Sequence, residues 1–203
     1  ELFRSLGIER AHVVASTSWD WAGLVASHPE VIASLTLVSR GGLDVDLLRP
    51  IASKLLVIGG EGDGVARLAA SPAMPGAVGR EIEGYVGLPW ADPARDHTDV
   101  MCAGILDHVH ATAGGTPPLS VDASEGEVAG ITYSIEGHGP PLVLIPLMLA
   151  PSQWAPLIPR LRERYTTITL GGQELGFVPL LEDRARTTGY TRLVGSMLDA
   201  AGL

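Results

Sequence analysis

A single cysteine, Cys102, stands among the 203 residues. No disulfide can therefore form within the chain, and no cysteine-based zinc site can be built. A reducing, cytoplasmic setting is the expected compartment. Cys102 sits in the apolar run Val100-Met101-Cys102-Ala103 and reads as a packed helix residue. Lysine is equally scarce: Lys54 is the only one, and arginine supplies the rest of the positive charge. With 14 basic against 23 acidic residues the net charge is −9, which argues against nucleic acid and anionic membrane surfaces as partners. No apolar run approaches the roughly 20 residues of a membrane-spanning helix, and no signal-peptide pattern is present. There is no G-x-x-x-x-G-K-[ST] loop, no H-E-x-x-H and no His/Asp cluster. Gly59-Gly60-Glu61-Gly62-Asp63-Gly64 is glycine-rich but lacks the spacing of a dinucleotide loop. No cofactor and no metal site are expected. Glu1 is not an initiator methionine and the chain opens within a helical pattern, so a fragment of a longer protein is expected.

What is present is a buried-sheet pattern. The chain is 46% hydrophobic, and a domain of this length hides roughly 70% of its unfolded surface. Apolar runs at 11–15, 34–39 and 54–58 read as strands, and 80–86 as a fourth. Near-continuous apolar strands with helices between them imply a parallel sheet covered on both faces. Helices are expected at 19–27 and 98–110, with a helical turn at 44–49. Gly7 closes an opening helix. Residues 111–125 form a Gly/Pro/Ser/Thr-rich linker. The pattern then restarts, with strands at 130–136, 142–147 and 165–170 and a helix at 153–164. This divides the chain into 1–110, a linker at 111–125, 126–175, and a C-terminal helical segment at 176–203.

Residues 6–39 read LGIERAHVVASTSWDWAGLVASHPEVIASLTLVS: an apolar strand, a tight turn of small residues, a helix stopped at His28-Pro29-Glu30, and a second apolar strand. This order resembles the nucleophile elbow of α/β-hydrolases, whose turn reads G-x-S-x-G. Residues 126–172, with Gly139-Pro140-Pro141 leading into an apolar strand, resemble the front of the same fold. The resemblance implies an α/β-hydrolase-like fold in which back-half motifs precede front-half motifs. It implies one of two arrangements: two separate units, or one sheet in which strand 142–147 lies beside strand 11–15. The single sheet is preferred, because it leaves no pair of open parallel edges.

The same resemblance implies a catalytic set. Thr17 occupies the nucleophile position, Asp63 the acid position after strand 54–58, and His97 is the nearest candidate histidine. The backbone N–H groups of Ser18 and Leu147 are the oxyanion donors. His12, His28, His108 and His110 read as structural. The set departs from the family pattern in three ways. Threonine is β-branched, which penalises a positive φ. Trp19 stands where the family has glycine. Pro146, in the oxyanion loop, has no N–H. The expected function is thus an α/β-hydrolase-like domain with a degenerate site, its hydrolysis of a small ester or acyl substrate residual or lost. With only 14 residues at 40–53 there is no room for a lid, and Leu147-Met148-Leu149 implies an apolar mouth. The segment at 178–203 resembles the helix that precedes the glycine-rich strand of a class I methyltransferase. The alternative function is therefore a binding or regulatory module covalently fused to an S-adenosylmethionine-dependent methyltransferase beyond residue 203.

Overall fold

The structure, a computed structural model, describes residues 2–16, 25, 28–38, 42–62, 64–85, 92–112, 114–120, 124–147 and 150–172. Its strands are β1 (Ala11–Ser16), β2 (Ile32–Val38), β3 (Leu55–Gly60), β4 (Val78–Ile82), β5 (Glu125–Val128), β6 (Ile131–Glu136), β7 (Pro141–Leu144) and β8 (Thr166–Gly171). Its helices are α1 (Leu2–Ser5), α2 (Val45–Leu48), α3 (Val65–Ala69), α4 (Pro93–Asp96), α5 (Thr98–Thr112) and α6 (Ile158–Leu161).

The eight strands form one sheet in the order β4-β3-β2-β1-β7-β8-β6-β5. The block before the linker supplies β1 to β4 and the block after it supplies β5 to β8. The two meet where β1 pairs in parallel with β7, His12 opposite Leu142 and Val14 opposite Leu144. β6 alone runs against its neighbours, antiparallel to both β8 and β5. The result is a mostly parallel α/β sheet.

Alternation along each strand divides the core into two layers. Val13 and Ala15, with Leu35, Leu37 and Val57, face Leu2 of α1, Leu48 of α2 and Ala69 of α3. Val14, with Leu56, Ile58, Leu142 and Leu144, faces Met101 and Ile105 of α5 and Leu161 of α6. Cys102, also in this second layer, is 1% exposed, and burial raises its thiol pKa. Both faces of the sheet are covered, which is why its central strands read as unbroken apolar runs. No helix among the described residues is long and apolar enough to cross a membrane.

Local sequence explains the element ends. Gly7, at φ +66°, closes α1 with two bonds, its own N–H donating to Arg4 O and the Ile8 N–H to Phe3 O. This is the paired 6→1 and 5→2 closure that a left-handed residue permits. Asp44 caps α2 by accepting the Leu47 N–H at 3.0 Å. Asp44→Ala should cost about 1 kcal/mol, the usual worth of such a cap; urea unfolding checks this, and an unchanged midpoint would show the cap contributes nothing.

Three expectations need correcting. The helix at 153–164 is instead a 3₁₀ turn, Pro151–Trp154, followed by the single turn of α6. Pro156 and Pro159 lack the N–H that a continuous helix needs, and Leu157 N–H bonds three residues back, to Trp154 O. The strand at 142–147 ends at Leu144. The linker at 111–125 is shorter than expected, since α5 runs to Thr112 and β5 begins at Glu125. The helix at 19–27 falls largely outside the described residues; Val25 is helical and buried. Residues 176–203 also lie outside them.

Candidate functional site

In an open parallel sheet the natural crevice lies beyond the carboxyl ends of the strands, where the chain departs to opposite sides from neighbouring strands. That point here is the β1–β7 junction, because β2, β3 and β4 extend to one side of β1 while β7 and β8 lie on the other. β1 ends at the buried Ser16, immediately before Thr17. β7 is followed by Ile145, whose N–H donates to Val14 O at 2.9 Å and so carries the contact one residue past the strand. Pro146 and Leu147 come next.

Of the five residues singled out from sequence, Leu147 and His97 are described; Thr17, Ser18 and Asp63 lie outside the described residues. The Leu147 side chain is fully buried with Trp154 and Leu157. It belongs to the core and does not contribute to an apolar mouth. His97 closes α4, donating its N–H to Pro93 O and accepting the Met101 N–H on its own carbonyl at 2.9 Å. Its ring meets Tyr85 edge to face, with centroids 5.8 Å apart. No described carboxylate forms a hydrogen bond or ion pair with the ring.

Tyr85 links His97 to Glu61, two residues before Asp63 in the chain. The Glu61 N–H donates to Tyr85 O at 3.1 Å, and the Gly84 N–H donates to Glu61 Oε2 at 3.3 Å. Gly62 and Gly64 flank Asp63 at φ +84° and +72°, conformations that glycine adopts without a side-chain penalty. The end of β3, the turn after β4 and the end of α4 are thus bound into one rim. The sequence places Tyr85 within a strand at 80–86 and gives no signal of this contact; the strand in fact ends at Ile82.

Beside this rim lies a surface cleft of about 260 Å³, lined among the described residues by Asp92, Arg95, Ala150, Ser152, Gln153 and Pro156. Asp92 caps α4 by accepting the Arg95 N–H at 3.3 Å. Gln153 is only 6% exposed, yet among the described residues neither its Nε2 nor its Oε1 has a partner. Each such orphaned group costs about 1–3 kcal/mol.

A second polar cluster lies under α5, away from the rim. His12 is fully buried on β1, its Nδ1 2.8 Å from Ser34 Oγ on β2 and its Nε2 without a partner among the described residues. Tyr165 packs against it edge to face at 6.1 Å. His108 reaches across from α5, its Nε2 3.0 Å from Lys54 O. Burial first, then the nearby His108 and Arg10, lowers the His12 pKa to about 4. Burial also lowers that of His108. Both rings are therefore neutral at pH 7 and serve the packing between α5 and the sheet.

Among the described residues no group of three or more His, Cys, Asp or Glu is placed to hold a metal ion. The chain matches no protein-family model, no curated protein and no solved structure.

Proposed function

We propose that the chain forms an α/β-hydrolase-like domain whose acyl-hydrolysis site has degenerated. The observation that carries this reading is the parallel pairing of β1 with β7, the neighbour relation that the hydrolase resemblance implies. The residues following β7 then lie beside the carboxyl end of β1. Further support comes from the rim, where Tyr85 joins Glu61, near Asp63 in sequence, to His97.

In an intact site Thr17 would attack a small ester, His97 would take its proton, Asp63 would orient His97, and the N–H groups of Ser18 and Leu147 would hold the oxyanion. Several features oppose that chemistry. A β-branched nucleophile resists the strained elbow conformation. Trp19 stands where the family has glycine, and Pro146 offers no N–H. Turnover should therefore fall well below that of an intact triad.

The test is turnover of p-nitrophenyl acetate by the wild type beside Thr17→Ala and Asp63→Asn. The expected outcome is that all three stay close to the uncatalysed rate. Substantial turnover by the wild type that both substitutions abolish would overturn the reading of a degenerate site.

A further inference from the structure

We infer that a second cleft, at the amino ends of β1 and β7, binds a small monocarboxylate with an apolar body, its carboxylate held by the guanidinium of Arg10. The cleft has a volume of about 190 Å³, below the roughly 300–1,000 Å³ of drug-sized ligand pockets. Its occupant is therefore no larger than a benzene ring or a short alkyl chain with a head group. Ile8, Pro117, Pro118, Leu119 and Pro141 make up most of its lining. Backbone bonds fix the walls: the Ile8 N–H donates to Phe3 O at 2.7 Å and the Leu119 N–H to Gly139 O at 2.9 Å. The cleft lies beside the first residues of β1 and β7, at the opposite end of the sheet from the crevice beyond their carboxyl ends.

The chemistry of the occupant follows from Arg10, the one cation among the described lining residues. Arg10 is half-buried, yet no ion pair among the described residues includes it. Its one hydrogen bond, from Nη1 to Gly114 O, is 3.5 Å long, longer than a typical N–H···O bond. Nη2 has no partner among the described residues, and unlike Nε it is not sealed from solvent. Arg10 already lines the cleft, so no side chain has to turn to present a donor. A half-buried cation without an anion is costly, and charge-assisted bonds to a carboxylate offset that cost. The apolar walls select the rest of the ligand. They also disfavour a doubly charged anion such as phosphate, as does Glu9, which shares the lining. Glu9 is exposed, so water screens its charge and it opposes a single negative charge only weakly.

This inference is independent of the hydrolytic reading, since binding is measured without turnover and at the other end of the sheet. The whole ¹⁵N-labelled chain is titrated with benzoate, with its neutral counterpart benzamide, and with acetate. The expected result is a saturable shift of the Ile8 and Leu119 backbone amide signals with benzoate at millimolar concentration. Benzamide should bind at least about tenfold more weakly, because it lacks the charge-assisted bond. Acetate should also bind more weakly, because it has almost no apolar body to bury. Arg10→Met keeps an unbranched apolar stem and removes the charge, and should lose at least about tenfold in benzoate affinity. Signals unmoved by benzoate, equal affinity for benzamide or acetate, or unchanged benzoate affinity in Arg10→Met would each overturn the inference. If Arg10→Met fails to fold, the exposed substitution Glu9→Gln carries the test. It removes a like charge from the cleft and should tighten benzoate binding about twofold while leaving benzamide binding as it was. Benzoate affinity unchanged or weakened in that variant would overturn the inference.

Discussion

Gly137→Ala should lower the thermal unfolding midpoint by roughly 6–12 °C, the equivalent of about 3 kcal/mol for a chain of this length. Gly137 begins the turn between β6 and β7 at φ +83°. A side chain in that left-handed region costs roughly 1–2 kcal/mol. The added Cβ would also stand 2.5 Å from both Arg162 O and Tyr165 O and 2.8 Å from Arg162 Cα. These are backbone atoms at the end of α6 and the start of β8, so no rotamer change relieves the overlap. Forcing atoms into a packed site adds roughly 1–3 kcal/mol. The turn has little room to move, because Thr166 N–H donates to Pro140 O at 3.0 Å and Leu119 N–H to Gly139 O at 2.9 Å. Gly7→Ala is the control. Gly7 has φ +66° but nothing within 4 Å of an added Cβ, so only the conformational cost applies, roughly 2–8 °C. Equal losses in the two variants would show that the close approach at Gly137 contributes nothing.

Acidification should remove about 3 kcal/mol of stability through His12 alone. An unfolded histidine titrates near 6.5, whereas the buried His12 titrates at about 4. Above pH 6.5 both states are neutral and this residue adds no pH dependence. As the pH falls from 6.5 to 4 the unfolded chain binds a proton that the folded chain refuses. The unfolded state gains, and stability declines across that window. Below pH 4 the folded ring also protonates and the decline from this group ends. His108, whose pKa is lowered by burial as well, acts with the same sign. The check is urea unfolding at about pH 7 and about pH 4.5 for the wild type and His12→Gln. The wild type should lose clearly more stability than the variant. Identical losses would mean that His12 is not excluded from protonation in the folded protein.

The legibility of the fold in the sequence varied from element to element. β1, β2 and β3 were legible because strands covered on both faces are apolar at every position. α5 was legible from its length and its run of apolar residues. β5 was not, because this edge strand alternates exposed and half-buried residues and carries Glu125 and Glu127, the charged marking of an edge. It therefore resembled the linker before it. Pro156 and Pro159 were visible, but the apolar spacing of Trp154, Leu157, Ile158 and Leu161 outweighed them in reading the stretch as one helix. The candidate site was legible only as positions along the chain. Tyr85, which joins Glu61 to His97, and Gln153, with its orphaned amide, gave no local sign of their surroundings. The partners of Tyr85 come from segments distant in sequence, and Asp92 and Arg95, far from Gln153 in the chain, complete the cleft beside it.

The sequence by itself determined the class of the protein and the place of most of its strands, because side-chain periodicity and apolar runs are local properties. It also set the chemical inventory: one cysteine, one lysine, a threonine with Ala15 two positions before it and Trp19 two positions after it, and a proline, Pro146, just before Leu147. Only the tertiary structure decided that two blocks separated by a linker form one sheet. Parallel pairing joins residues far apart along the chain, and its register is chosen by which open edges meet and which faces must be covered. The burial of His12, the covered side chain of Leu147 and the cleft beside α4 all follow from that one long-range pairing and the packing over it. None of the three is written in the residues next to them.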